Sequence, residues 1–402
     1  MNAFAFVYRP PVGRPRLPGR SRLNKTRMRI VIGSLSVCLL LSNPAFALRT
    51  YHVGNSLTFA INSAGLANWV AGRGGTHPYG YHINNGAKLN DIWNSPSHAD
   101  FSVAPYGAHG NALPNYEWDV VTLEPFGLTT TDAARIADFV GSARSNPANN
   151  DAQFYLYENW PLRSYIGTGT YSAFWEQPWT GSGLSVTVRT QDYFQELADQ
   201  VNSMPLGLEK GVLLVPVGDV LNAIDKRMRA GDVPGFNSVV ELYLDDVHLK
   251  SGVGYFVVST TFYATLYRQN PMGLPIPASM TSTVTPQFAA AVQRVAWDVV
   301  AGHPYSGVPE TVAGDFNGDA LVNAADYDLW KSTFGSRTDL RADANLNFVV
   351  DAADYTIWRN QLRTMGSGSL APRTVPEPES VLMAIVMCSL ELFRARRRFP
   401  GS

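Results

Sequence analysis

Four short apolar runs stand out: RTYHVG (49–54), WDVVTLEP (118–125), AQFYLYENW (152–160) and GVLLVPVG (211–218). Runs this short, apolar without clean alternation, suit strands buried on both faces, and such strands belong to parallel sheets covered by helices. Between them lie stretches with the helical period: TTDAARIADFVGSARS, VRTQDYFQELADQVNSM and TPQFAAAVQRVAWDVVAG. The alternation predicts an α/β domain over 48–304 with a parallel sheet as the middle of three layers. Functional groups are then expected past the carboxyl ends of the strands.

Composition narrows the function classes. The 402 residues carry a net charge of −1 with no basic bias, so nothing points to nucleic acid. The two cysteines, Cys38 and Cys388, lie near opposite ends, so neither a disulfide framework nor a cysteine metal site is expected between them. Few charges and many aromatics suit an extracellular protein that meets polysaccharide.

Both termini read as addresses. An Arg-rich stretch precedes IVIGSLSVCLLLS and then NPAFA, the pattern of a secretory signal peptide over 1–47 with cleavage after Ala47. At the other end, VPEP is followed by an apolar run from Val381 to Phe393 and by Arg394, Arg396, Arg397 and Arg398. A basic cluster after an apolar run stays on the cytoplasmic side. This order resembles the PEP-CTERM sorting tail, here over 376–402. The resemblance implies processing by an exosortase, export, and transient anchoring in the cell envelope by the apolar segment.

After a Gly/Pro linker at 305–312, an internal repeat fills 313–364, and a second linker covers 365–375. The two blocks begin at Asp315 and Asp343, 28 residues apart, and share Ala-Ala-Asp-Tyr and a Trp at matching positions. Oxygens recur at positions 1, 3, 5, 7, 9 and 12, as a Ca²⁺ loop requires. The first loop offers Asp315, Asn317, Asp319, the Leu321 carbonyl, Asn323 and Asp326. The second offers Asp343, Asn345, Asn347, the Val349 carbonyl, Asp351 and Asp354. Two loops at this spacing point to a small all-α calcium-binding module. It resembles the dockerin type I repeat, which implies structural Ca²⁺ and a cohesin-like scaffold partner. Position 6, where such loops favour Gly for a sharp turn, carries Ala320 and Phe348 instead. Asn347 stands where the first loop has Asp319, which lowers the second loop's charge.

Ser56, in YHVGNSLTFA, follows a strand and opens a helical stretch, so it is either a projected nucleophile or a helix cap. A nucleophilic Ser needs a His base and a carboxylate to hold its tautomer. Asp245 and His248 in LYLDDVHLKSG stand three apart and supply both; Asp246 competes as the orienting acid, but the spacing favours Asp245. Gly54-Asn55-Ser56-Leu57 near the first strand, with Asp-x-x-His near the domain's end, resembles the SGNH/GDSL hydrolases. The resemblance spans about 48–300. It implies a flavodoxin-like three-layer fold and serine ester hydrolysis with no cofactor in catalysis. It also implies an oxyanion hole from the N–H groups of Ser56 and Gly86, plus an Asn side chain from a third motif.

The sequence departs from the family at that third motif. The matching strand ends in Glu124-Pro125, and an ionised carboxylate cannot donate a hydrogen bond. Asn159, at another strand end, is the substitute donor, and Glu124 is then read as a substrate-binding residue for a sugar hydroxyl. His52 is read as structural, and His77, His82, His98 and His109 as core or surface residues without metal spacing. The expectation is an exported esterase for a carbohydrate ester such as an O-acetyl group. The alternative is a catalytically idle, glycan-binding or envelope-structural protein.

Overall fold

The computed structural model describes residues 47–126, 131–167, 169–178 and 190–366. The signal peptide, apart from Ala47, and the sorting tail lie outside them. Among the described residues no helix is long and apolar enough to cross a membrane.

Six strands form one sheet: β1 (Thr50–Gly54), β2 (Tyr79–Ile83), β3 (Phe101–Ser102), β4 (Val120–Leu123), β5 (Gln153–Tyr157) and β6 (Val212–Val215). Their order is β3-β2-β1-β4-β5-β6, parallel except for the edge strand β3. The four apolar runs are β1, β4, β5 and β6. β1 and β4 are buried along their whole length, as expected of strands covered on both faces.

The helices are α1 (Ser63–Gly72), α2 (Leu89–Trp93), α3 (His109–Asn115), α4 (Asp132–Arg144), α5 (Arg163–Ile166), α6 (Tyr171–Trp175), α7 (Gln191–Asn202), α8 (Val217–Arg229), α9 (Val253–Tyr267), α10 (Pro286–Gly302), α11 (Ala324–Thr333) and α12 (Ala352–Gly366). Helices α1, α8, α9 and α10 pack together as one group, and α2, α3, α4 and α7 as another, so the sheet is flanked by helices. The fold is therefore α/β with a mostly parallel sheet. Its core is rich in large rings, with Trp118, Trp160, Trp175, Tyr155 and Phe154 almost wholly buried. Each such side chain contributes roughly 1.5–3 kcal/mol of burial.

The strand order places the topological switch between β1 and β4. β1 connects outward to β2, and the chain then crosses back to β4 on β1's other side. A crevice forms at the carboxyl ends of strands that diverge in this way. Ser56 follows β1 and Glu124 follows β4, so both lie at that point.

The linker expected at 305–312 is not free along its whole length. The Leu214 N–H on β6 donates to the Tyr305 carbonyl (2.8 Å), and Val308 packs on Ala264, Trp297, Val300 and Ala301. An edge strand with unmet N–H groups attracts any nearby backbone, which is why this segment lies against β6.

The repeat forms its own small core from Phe316, Val322, Ala342, Val350 and Trp358. Its halves tie each other symmetrically. Trp330 of the first donates to the Asp351 carbonyl (2.8 Å), and Trp358 of the second donates to the Asn323 carbonyl (2.9 Å).

Candidate functional site

Gly54-Asn55-Ser56-Leu57 turns sharply from β1 into a 3₁₀ helix, Ser56–Ile61. Asn55, not Ser56, caps it: its Oδ1 accepts from the Leu57 N–H at 3.0 Å. Its Nδ2 donates to the Ala87 carbonyl (3.3 Å), and its backbone N–H donates to Glu124 Oε2 (3.2 Å). Asn55 thus needs both a donor and an acceptor on one short side chain, which Asp could not supply. With the cap role filled by its neighbour, the Ser56 hydroxyl is left to another partner.

That partner is His248. Ser56 Oγ lies 2.9 Å from His248 Nε2, across 192 residues of sequence. His248 Nδ1 lies 2.9 Å from Asp245 Oδ2. An ionised Asp245 only accepts, so Nδ1 carries the proton and Nε2 is left to accept from the serine. The other Asp245 oxygen accepts from the N–H groups of Val247 (2.8 Å) and His248 (2.7 Å), which fixes the carboxylate within its own tight turn. Burial works to raise the Asp245 carboxyl, but these N–H groups and the His248 ring outweigh it and hold it at about 2. It is an anion at any neutral pH.

The competition between neighbouring acids is resolved by geometry. Asp246 turns away and accepts from Ser164 N–H (2.6 Å) and Ser164 Oγ (3.0 Å), at the first turn of α5. The segment after β5 clamps the Asp245–His248 turn further: Trp160 Nε1 donates to the Val247 carbonyl, and Tyr243 OH to the Pro161 carbonyl, both at 2.8 Å. The His248 and Asp245 side chains remain 39% and 53% exposed, so the pair is open to solvent.

Gly86 lies on an exposed turn with φ +68, a left-handed conformation that suits Gly. The Asn84 N–H donates to the Gly54 carbonyl (3.1 Å), and Asn55 holds the Ala87 carbonyl, so this turn is tied to the Ser56 turn on both sides.

Glu124 and Asn159 both lie in the interior. Glu124 is 1% exposed and sits beneath the turn, where Oε2 accepts from Thr58 Oγ1 (2.6 Å) and the Asn55 N–H. A side chain buried there braces the turn that carries Ser56. Asn159 is fully buried and its Nδ2 donates to the Pro125 carbonyl (2.8 Å). It joins the ends of β4 and β5 through that bond.

The histidines behave as a buried framework. His52 is fully buried between Thr122 Oγ1 (2.8 Å) and Thr50 Oγ1 (3.2 Å); His82, His77 and His109 are buried, while His98 is exposed. Burial, with the neighbouring His77, lowers His52 to about 3; burial lowers His77 to about 4, and burial with His109 and His98 beside it lowers His82 to about 4.

A buried cluster of Glu158, Asp219 and His303, which sequence reading did not single out, brings its ligand-type atoms within 4.8 Å of one another. His303 Nδ1 accepts from the Tyr305 N–H (3.2 Å), and Nε2 lies 3.1 Å from Asp219 Oδ2 without hydrogen-bond geometry. Asp219 accepts from Trp175 Nε1 (2.6 Å) and Gln191 Nε2 (2.9 Å).

The two acidic loops share their main backbone-to-carboxylate hydrogen bonds. Asp326 Oδ1 accepts from the N–H groups of Phe316 and Asn317, and Asp354 Oδ1 from those of Ala344 and Asn345, at 2.8 and 3.1 Å in each loop. Asp315 and Asp343, at position 1, gather the N–H groups of the following turn. Position 6 is left-handed in both loops, at φ +65 for Ala320 and +60 for Phe348. The turn that usually calls for Gly is therefore made by L residues, at about 1–2 kcal/mol each. Position 9 restores the second loop's charge, since Asp351 stands opposite Asn323 and each loop holds three Asp. The donors are hard oxygens at alternating positions, and Asp326, Asp343 and Asp354 are fully buried, a set that fits a Ca²⁺ ion in each loop.

No known family model matches the chain, and no curated protein does. Among solved structures, the crystal structure of a DUF4886 family protein from Bacteroides uniformis ATCC 8492 aligns at 15% identity. It covers 66% of this chain and 97% of that one, with a TM-score of 0.46.

Proposed function

We propose that the α/β domain is a serine ester hydrolase of the SGNH type acting through an acyl-enzyme. The observation that carries this is the chain Asp245–His248–Ser56, linked at 2.9 and 2.9 Å at the switch point of a mostly parallel sheet. Ser56 Oγ attacks the ester carbonyl carbon while His248 Nε2 takes its proton. Asp245 holds the Nδ1–H and balances the imidazolium. The N–H groups of Ser56 and Gly86 receive the oxyanion. The intermediate collapses, the alkoxy leaving group takes the proton from Nε2, and a water activated by the same His releases the acid.

The substrate is a carbohydrate ester such as an O-acetyl group. This rests on the open triad, the neutral aromatic composition and the envelope-type tail. The repeat is a dockerin-like module whose two loops hold structural Ca²⁺ through the residues named above; calcium, when bound, supplies rigidity to each loop. A cohesin-like scaffold partner and exosortase processing of an exported chain complete the reading.

One observation favours the idle glycan-binding alternative: Glu124 and Asn159 are both committed to structure, leaving two backbone donors for the oxyanion. Loss of one such donor costs about 10²–10³ in rate, which slows an esterase without abolishing it. The test is hydrolysis of p-nitrophenyl acetate by the protein and by Ser56→Ala. Loss of nearly all turnover in the variant supports the hydrolase; equal rates overturn it. For the repeat, calcium titration followed by near-UV circular dichroism should report ordering around Trp330 and Trp358, and no change sinks the calcium reading.

A further inference from the structure

Position 6 separates the two acidic loops. Ala320 in the first is exposed, whereas Phe348 in the second is 7% exposed. Phe348 does not join the repeat's own core. With Leu340, which is 1% exposed, it packs into the core of the α/β domain. Its ring lies under the Arg227 guanidinium of α8, 5.3 Å from the centroid, a cation–π contact. Arg294 of α10 acts electrostatically on Asp343 at position 1 of the same loop. The Phe348 N–H in turn donates to Asp343 Oδ2 at 3.0 Å. One residue therefore joins a candidate cation ligand, through its backbone, to a helix of the α/β domain, through its ring.

We propose that the second acidic loop is a latch on the α/β domain: a divalent cation held by Asp343, Asn345, Asn347, Asp351 and Asp354 fixes the turn that docks Phe348 against α8, and so stabilises the domain against opening. This rests on the calcium reading of the repeat. The first loop has no such side chain to dock, since its position 6 is the exposed Ala320. Linkage makes the effect reciprocal. Docking holds Phe348 in a left-handed conformation that an undocked Phe disfavours, so the docked protein binds the cation more tightly. The departure from Gly at position 6 thus has a purpose that the loop alone does not explain.

The test is amide hydrogen exchange of the whole protein with and without Ca²⁺. At a free Ca²⁺ concentration about ten times the dissociation constant, amides of the second loop and of α8 and α10 should slow by about tenfold. In Phe348→Gly, where Gly takes φ +60 without strain, the loop should still be protected by Ca²⁺ and the two helices should not. Phe348→Tyr should restore the helix response. Protection of the loop without the helices in the unaltered protein overturns the latch and leaves the calcium reading standing. No protection of the loop overturns both.

Discussion

Glu124 Oε2 receives the Thr58 hydroxyl at 2.6 Å and, beside it, the backbone N–H of the residue before the nucleophile. The end of one central strand therefore fixes the turn leaving its neighbour. Removing this acceptor in Glu124→Ala strands a buried N–H and a hydroxyl. Unfolding in urea should show a loss of about 2–4 kcal/mol. Ester turnover should fall further than in Glu124→Gln, which keeps one acceptor oxygen.

Gly54 is required for space. A Cβ there would lie 2.2 Å from Thr58 Oγ1, 2.5 Å from Glu124 Oε2 and 2.7 Å from Glu124 Cβ. Gly54→Ala should cost about 1–3 kcal/mol in stability and move Ser56 out of register with His248. Thermal unfolding and p-nitrophenyl acetate turnover check the two effects separately.

The adjacent acids should separate cleanly. Asp245→Asn should lower kcat on the order of 10³–10⁴-fold, because the wrong tautomer of His248 is then held. Asp246→Asn should leave kcat within a few-fold, since its carboxylate serves Ser164. The Asp245 carboxyl, held at about 2, keeps its interactions ionised above its unfolded value and loses them only as pH falls through about 2. The acid limb of a pH–rate profile should therefore not belong to Asp245.

Stability should fall on mild acidification for a different reason. His52, His77 and His82 are neutral in the fold down to about 3, 4 and 4, whereas unfolded His protonates near its ordinary 6.5. Between about 6.5 and 4 the unfolded chain binds more protons, so stability drops as pH drops. Urea midpoints measured from pH 7.5 to 4.5 should fall steadily. Replacing His52 by Gln should flatten the slope.

Strands β1, β4, β5 and β6 were legible because each is a short apolar run, and the candidate Ser56–His248–Asp245 set because both of its halves are local motifs. β2 was not: YGYHI carries Gly80, whose missing Cβ leaves room for the Tyr51 ring, and Gly breaks the pattern of a strand. The extent of α9 was hidden because it is buried on nearly every side, with Ser259, Thr261 and Thr265 hydroxyls bonded back to its own carbonyls, so no polar face marks its period. The places of Glu124 and Asn159 depend on which way a strand-end side chain faces, and neighbouring strands decide that. Phe348 was visible as an oddity, but its reason is a tertiary contact.

The central claim is that Ser56 is a nucleophile activated by His248. The protein should be treated with a fluorophosphonate and the adduct located by peptide mass spectrometry. The expected result is stoichiometric phosphonylation of Ser56, lost in His248→Ala. An unmodified Ser56, or labelling unaffected by His248→Ala, would contradict it.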